Sequence, residues 1–296
     1  MKHLLFAALM FVCIHVTACF PQSDKANRAK AEQTAETATT VVEDKFQGQR
    51  IDAVDVGFAF QAVIRKSDRT GVRISIDSRL EPYLVCKLEN GRLTLGMKND
   101  LPQYLRYGQY WTIQPAAVID VRELNAIEAS GAAKITAEGE FRADDIKIQT
   151  SGASKTEGLH IETGGSVSVD CSGASQLTGA NFGHPSRVGI AASGATRLSF
   201  ACHTRALGID AGGTAKIELS GSAGHLTADV SGVAKCQLGE MVSETAECSV
   251  SGAARIDCHA TGRLSASASG ASHISCTGNP EVLKKAASGA SSISIR

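Results

Sequence analysis

Residues 146–177 read IKIQTSGASKTEGLHIETGGSVSVDCSGASQL, and this stretch decides the fold. Ahead of Ser151-Gly152-Ala153-Ser154, alternate positions carry Ile146, Ile148 and Thr150. Ahead of Ser172-Gly173-Ala174-Ser175 the same offsets carry Val167, Val169 and Cys171. A period of two marks a strand with one buried face, because successive side chains of an extended chain point to opposite sides. The glycine between two such runs marks a corner, where the chain turns tightly or backbones approach closely.

Working outward, the tetrapeptide recurs with its glycine at 131, 152, 173, 194, 213, 232, 252, 270 and 289, so that successive copies are 21, 21, 21, 19, 19, 20, 18 and 19 residues apart. One copy is degenerate, Gly212-Gly213-Thr214-Ala215, which predicts an irregular stack there. The alternation continues as Val188, Ile190 and Ala192, then Leu207, Ile209 and Ala211, then Leu226, Ala228 and Val230. After the corner the apolar positions are Ile135, Leu177, Leu198, Ile217, Ile256, Ile274 and Ile293. A unit of about 20 residues with short strands at fixed offsets from a corner predicts an all-β, parallel β-helix-like solenoid; a propeller blade needs about twice that length. The first serine is present in eight of the nine copies, and predicts a ladder of hydroxyls bonding the turn backbone.

The chain before this array divides in three. Residues 1–18 read as a signal peptide: a basic start, then the apolar run Leu4 to Val16, too short for a stable membrane span. Val16-Thr17-Ala18-Cys19 resembles a bacterial lipobox, which predicts lipidation at Cys19 and a polar tether over 19–45. Residues 46–120 read as a β-rich section outside the coil register, with strands around Val54, Ile64, Ile74 and Leu93 and an Asn90-Gly91 turn. This section is expected to cap one end of the coils, which occupy 121–296.

The order of these features resembles the putative auto-transporter adhesin family, head GIN domain. The resemblance is carried by the β opening near Phe46, by Leu88-Glu89-Asn90-Gly91-Arg92-Leu93-Thr94-Leu95, by Leu124-Asn125-Ala126-Ile127-Glu128-Ala129-Ser130-Gly131-Ala132, and by the later Ser-Gly-Ala-Ser copies. It spans residues 46–296. It implies a parallel β-helix-like architecture and an adhesive role, and it brings no catalytic residues; together with the lipobox-like segment, the expectation is a non-enzymatic cell-envelope protein lipid-anchored at the outer membrane.

Formal net charge is zero, so no bulk field selects nucleic acid or an anionic membrane. Among the cysteines, Cys86, Cys171, Cys202, Cys236, Cys248, Cys258 and Cys276 show no CxxC spacing and read as free thiols rather than zinc ligands. Cys258 and Cys276 each lie seven residues after a corner serine and are expected to be neighbours. Cys202-His203 brings no third ligand, and Asp144-Asp145 falls in a polar connection. No phosphate loop or nucleophile elbow is present, so neither cofactor nor metal is expected.

Four residues after the corner serine position come Lys134, Lys155, Gln176, Arg197, Lys216, Lys235, Arg255, His273 and Ser292. Stacked coils would align these cations into a strip, which reads either as long side chains that cover the corner and keep the surface soluble or as a docking strip for an anionic glycan or host-surface polymer. Glu128, Asp170, Asp210 and Asp229, two residues before the corner, are expected to neutralise part of it. The competing functions are a polysaccharide-acting β-helix enzyme and a purely structural envelope protein.

Overall fold

The computed structural model describes residues 39–106 and 114–296. Cys19, the leader and most of the 19–45 stretch lie outside the described residues. Seven described strands precede the regular coils: β1 (Thr40–Lys45), β2 (Ala53–Val56), β3 (Gln61–Lys66), β4 (Gly71–Asp77), β5 (Leu84–Glu89), β6 (Arg92–Met97) and β7 (Ala116–Val121). Beyond them every coil runs parallel to its neighbours. Ile146–Thr150, ahead of its corner, pairs with Ala126–Ala129 on one side and Ser166–Cys171 on the other, so Ile148 lies between Ile127 and Val169. Lys155–Glu157, after the corner, pairs with Lys134–Glu138 and Gln176–Phe182. A short third face joins Glu140–Arg142 to His160–Glu162. From Arg197 the strands continue through the bends as Arg197–Ala211, Lys216–Val230, Lys235–Val250 and Arg255–Ala268. The whole is a β-solenoid.

The corner is a column of glycines. Gly152, Gly173 and Gly194 have φ of +67°, +71° and +75°, a region that side chains with a Cβ rarely adopt. The N–H after each donates to the glycine carbonyl one coil earlier, as Ala153 N to Gly131 O, Ala174 N to Gly152 O and Ala195 N to Gly173 O, each at 2.7 Å. A Cβ on Gly152 or Gly173 would sit 2.6 Å from that carbonyl oxygen. The degenerate copy keeps this geometry through Gly213, at φ +67°, and the register from Arg197 through Lys216 to Lys235 is unbroken. The irregularities in these pairings fall later in the coil, between Thr178 and Ala180, Glu218 and Ser220, Leu238 and Val242, and Ser243 and Thr245. Inside, Ile127, Ile148, Val169, Ile190 and Ile209 form one apolar stack, and Leu177, Leu198 and Ile217 belong to another. Burial of such rows at about 25 cal/mol per Å² drives the fold. Phe182 and Phe200 meet edge to face at 5.0 Å on the third side.

The structure corrects several expectations. The hydroxyl that bonds the corner backbone belongs to the fourth residue of the tetrapeptide, not the first. Ser154 Oγ donates to Ala129 O at 3.1 Å, Ser175 Oγ to Thr150 O at 3.2 Å and Ser291 Oγ to Ala268 O at 3.0 Å. The first serines point outward, and Ser172, Ser193, Ser231 and Ser251 are exposed. Strands β2 and β3 also belong to the stack: Ala53 opposes Ala126 and Gln61 opposes Lys134, in parallel register. Phe58 occupies the corner there with φ +63°, and its carbonyl accepts from Ala132 N. Thr40–Lys45, at the end of the expected tether, forms β1 against β4, and Arg73 Nε donates to Asp44 Oδ1 at 2.8 Å. Two 3-10 turns, Glu81–Tyr83 and Gln103–Leu105, interrupt the β section.

The capping geometry follows from strand direction. Beyond β3 the sheet continues through β7 to β4 and β1, with β4 and β1 antiparallel. Beyond β2 it continues through β6 to an antiparallel β5. At the other end Glu281–Ala287 lies on Arg255–Ala268 with a register shift after Leu264 that leaves Leu283 over. Lys285 then falls opposite the buried Ala266.

Candidate ligand-binding strip

The position four residues after the corner serine forms one unbroken row. Gln61, Lys134, Lys155, Gln176 and Arg197 are successive register partners, and the row continues through Lys216, Lys235, Arg255, His273 and Ser292. The glycine column lies next to it and the irregularities lie beyond it, which keeps the row straight. Neighbouring strands are about 4.8 Å apart, so one side chain is presented per step along the solenoid axis. The row faces outward because the next residues, Ile135, Leu177, Leu198, Ile217, Cys236 and Ile256, are buried. All six predicted cations are therefore brought together on one line.

Their neutralisation differs from the expectation. Glu157, two residues after Lys155, takes Lys155 at 2.6 Å and Lys134 at 3.4 Å, which holds its carboxyl below the usual range. Glu218 takes Lys216 at 2.5 Å. Arg197, Lys235 and Arg255 have no ion pair among the described residues. The acids before the corner do align, as Asp55, Glu128, Asp170, Asp210 and Asp229, but on the strand face across the glycine column. Glu128 meets Arg92 of the N-terminal section at 3.6 Å instead. A shallow groove of about 390 Å³ runs beside Glu128, Asp170 and Asp210. Burial, then the nearby Glu128, raises the Asp55 carboxyl. The signal for the true partners was present in sequence, since Glu157 and Glu218 are the next outward residues on the same strands.

Other candidates separate. Cys202 is buried while His203 is exposed, so the pair faces opposite sides of one strand. His203 Nδ1 hydrogen-bonds Ser222 Oγ at 2.9 Å, and its ring stacks on His184 at 5.5 Å. Asp145 is tied into a bend: Ser166 Oγ and N donate to its Oδ1 at 2.6 and 2.7 Å, holding its carboxyl below the usual range. Among the described residues no three His, Cys, Asp or Glu side chains are grouped to hold a metal. The seven described cysteines are free, and six of them are buried. Burial pushes Cys171 up to about 11 and Cys202 and Cys236 up to about 12. Such thiols are poor nucleophiles and act as small apolar side chains. Among the described residues no helix is long and apolar enough to cross a membrane.

The sequence matches the family model described as "Putative auto-transporter adhesin, head GIN domain" over residues 51–181 and again over 165–280. A solved putative adhesin from Parabacteroides distasonis ATCC 8503 is similar, with 16% identity, a TM-score of 0.65, and coverage of 87% of this chain and 97% of that one. A putative adhesin from Parabacteroides merdae ATCC 43184 has 16% identity, a TM-score of 0.61 and coverage of 87% and 96%. A putative lipid binding protein from Parabacteroides distasonis ATCC 8503 has 18% identity, a TM-score of 0.56 and coverage of 87% and 97%. At these identities the likeness shows the fold. No curated protein matches this chain.

Proposed function

The chain belongs to the family described as putative auto-transporter adhesin, head GIN domain, and from that premise we propose that it is a non-enzymatic, adhesin-like protein of the cell envelope that holds an anionic glycan or surface polymer along its basic row. The observation that carries the proposal is the row itself: Lys134, Lys155, Arg197, Lys216, Lys235 and Arg255 in one register, interrupted only by Gln176, with Arg197, Lys235 and Arg255 free of ion pairs among the described residues. Like charges at about 4.8 Å repel one another, and an anion laid along them relieves that repulsion while adding one contact per coil. Each exposed contact is weak and screened by salt, so strength comes from their number.

The non-enzymatic reading is supported by the chemistry of the shifted groups. Catalytic sites gather titratable side chains with perturbed pKa values in a cleft. Here the large shifts belong to thiols, sealed in the core except for Cys86, which is half-buried in the N-terminal section, and Asp145 is held by its own bend. The envelope location rests on the family and on the lipobox-like Val16-Thr17-Ala18-Cys19, with acyl chains on Cys19 as the anchor. Loss of lipid labelling in Cys19→Ala checks that anchor.

Binding of the soluble domain to immobilised dextran sulfate tests the strip. The R197Q/K235Q/R255Q variant, with an unchanged melting temperature, is expected to bind at least about tenfold more weakly and with a flatter salt dependence. Equal binding with equal salt dependence would reduce the row to a solvated face.

A further inference from the structure

The spacing and company of the row narrow its ligand. Resting on the reading above, we infer that the bound polymer is a linear polyuronate, an unbranched polysaccharide with one carboxylate on each sugar, lying parallel to the solenoid axis.

Commensurability is the first argument. Outward positions of the row recur once per coil, at about 4.8 Å, and six of the seven from Lys134 to Arg255 are cations, with Gln176 between Lys155 and Arg197. A pyranose residue in an extended glycan advances by a closely similar distance. A polymer with one anion per sugar keeps in step with the row. Duplex DNA does not, because its phosphates recur at about 3.4 Å of axis per strand. Straightness is the second argument. The row has no register shift from Gln61 to Ser292, whereas the bulges lie farther along the coil at Thr178, Glu218 and Leu238.

The flanking rows supply the third. On the corner side stand the exposed Ala153, Ala174, Ala195, Thr214 and Ala253, with the exposed Val233 between the last two, so that close approach is open at the alanine positions. On the other side the outward positions are Thr136, Thr178, Ser199 and Gln237, with the carboxylates Glu157, Glu218 and Asp257 among them, all able to bond sugar hydroxyls. No aromatic ring lies on either row. Neutral glycans and single-stranded nucleic acids depend on ring stacking, which these rows cannot provide. Recognition therefore falls to carboxylates on the cations and hydroxyls on the polar row. Arg197 and Arg255 each present a planar fork that matches a carboxylate.

The unpaired cations set the working length. Arg197 to Arg255 covers three coil steps, about 14 Å, and the row from Lys134 covers about 29 Å. Affinity should climb with each sugar added and level off once about four to seven sugars fill the row.

The test is competition against dextran sulfate by oligogalacturonates of defined length, from the dimer to the dodecamer, at physiological salt. The expected result is a steady gain with length and a plateau, with neutral oligomers of equal length inactive. Polyphosphate or single-stranded DNA competing as well as the polyuronate at equal charge would overturn the polymer assignment while leaving the polyanion strip standing. No competition by any polyanion, together with an R197Q/K235Q/R255Q variant that binds dextran sulfate normally, would overturn both.

Discussion

Cys276 lies directly opposite Cys258 in the parallel register between Arg255–Ala268 and His273–Thr277, and both side chains are buried. Cys248 joins them, its Sγ 4.0 Å from that of Cys258. The contact with Cys248 raises the Cys258 thiol, and the contact with Cys258 raises that of Cys276, each reinforced by burial. Three neutral thiols thus fill the interior of adjacent coils where other coils place Leu238 and Ala228.

Alkaline pH should expose this dependence. Burial raises Cys171 from 9.0 to about 11, and Cys202 and Cys236 to about 12. A group whose pKa is higher folded than unfolded stabilises fully below the unfolded value, and the contribution disappears as pH rises through the folded one. The melting temperature should therefore hold below pH 9.0 and fall as pH rises toward 12. A C171A/C236A variant should show a shallower fall over that window, read by thermal melts across pH.

The glycine column separates two costs. Gly173→Ala places a Cβ 2.6 Å from Gly152 O at φ +71°, combining a clash with backbone strain. Gly179→Ala at φ +65° would meet Gly158 N at 4.0 Å, an ordinary contact, so strain acts alone. Losses of more than about 2 kcal/mol and about 1 kcal/mol are expected from urea melts. Gly239→Ala, with nothing within 4 Å and no positive φ, should stay within about 0.5 kcal/mol of the parent.

Buried hydroxyls predict changes of opposite sign. Thr156 Oγ1 is buried without a hydrogen-bond partner, in the stack that holds Ile135 and Leu177. Thr156→Val should raise stability by about 1 kcal/mol. Ser175 Oγ contacts Thr150 Oγ1 at 2.9 Å and donates to Thr150 O at 3.2 Å. Ser175→Ala should lower stability by about 1–2 kcal/mol. Chemical denaturation of the two variants checks both signs.

Releasing the paired lysines should strengthen the strip. Glu157 occupies Lys134 and Lys155, and Glu218 occupies Lys216. An E157Q/E218Q variant should bind dextran sulfate several-fold more tightly, with a steeper salt dependence. Unchanged affinity would show that these lysines do not reach the ligand.

Much of this was legible because a solenoid repeats its errors and its rules alike. The alternation around Ser151 and Ser172 fixed which side chains turn inward, and hence the alignment of Lys216, Lys235 and Arg255. Counting seven from Ser251 and Ser269 placed Cys258 beside Cys276. The first coil was hidden because Phe58 stands where the other corners have glycine. The alternation of Val54 and Val56 before it, and Ala62 and Ile64 after it, was the available signal. β1 was hidden because Glu43, Asp44 and Lys45 read as solvated, although Asp44 meets Arg73 across the sheet. The hydroxyl assignment failed because exposure at a corner is set by which residue turns inward, and frequency in sequence does not report that.

The Glu281–Ala287 strand gives the stack a chemical stop. Identical strands laid parallel, each a template for the next, are also how an amyloid fibre grows. Leu283 breaks the spacing that an added strand would need, and Lys285 sets a charge in line with the buried Ala266. Any further strand would have to accommodate a bulge and desolvate an ammonium group. The sequence that makes coil follow coil so readily also sets, on this one strand, two residues that oppose the next.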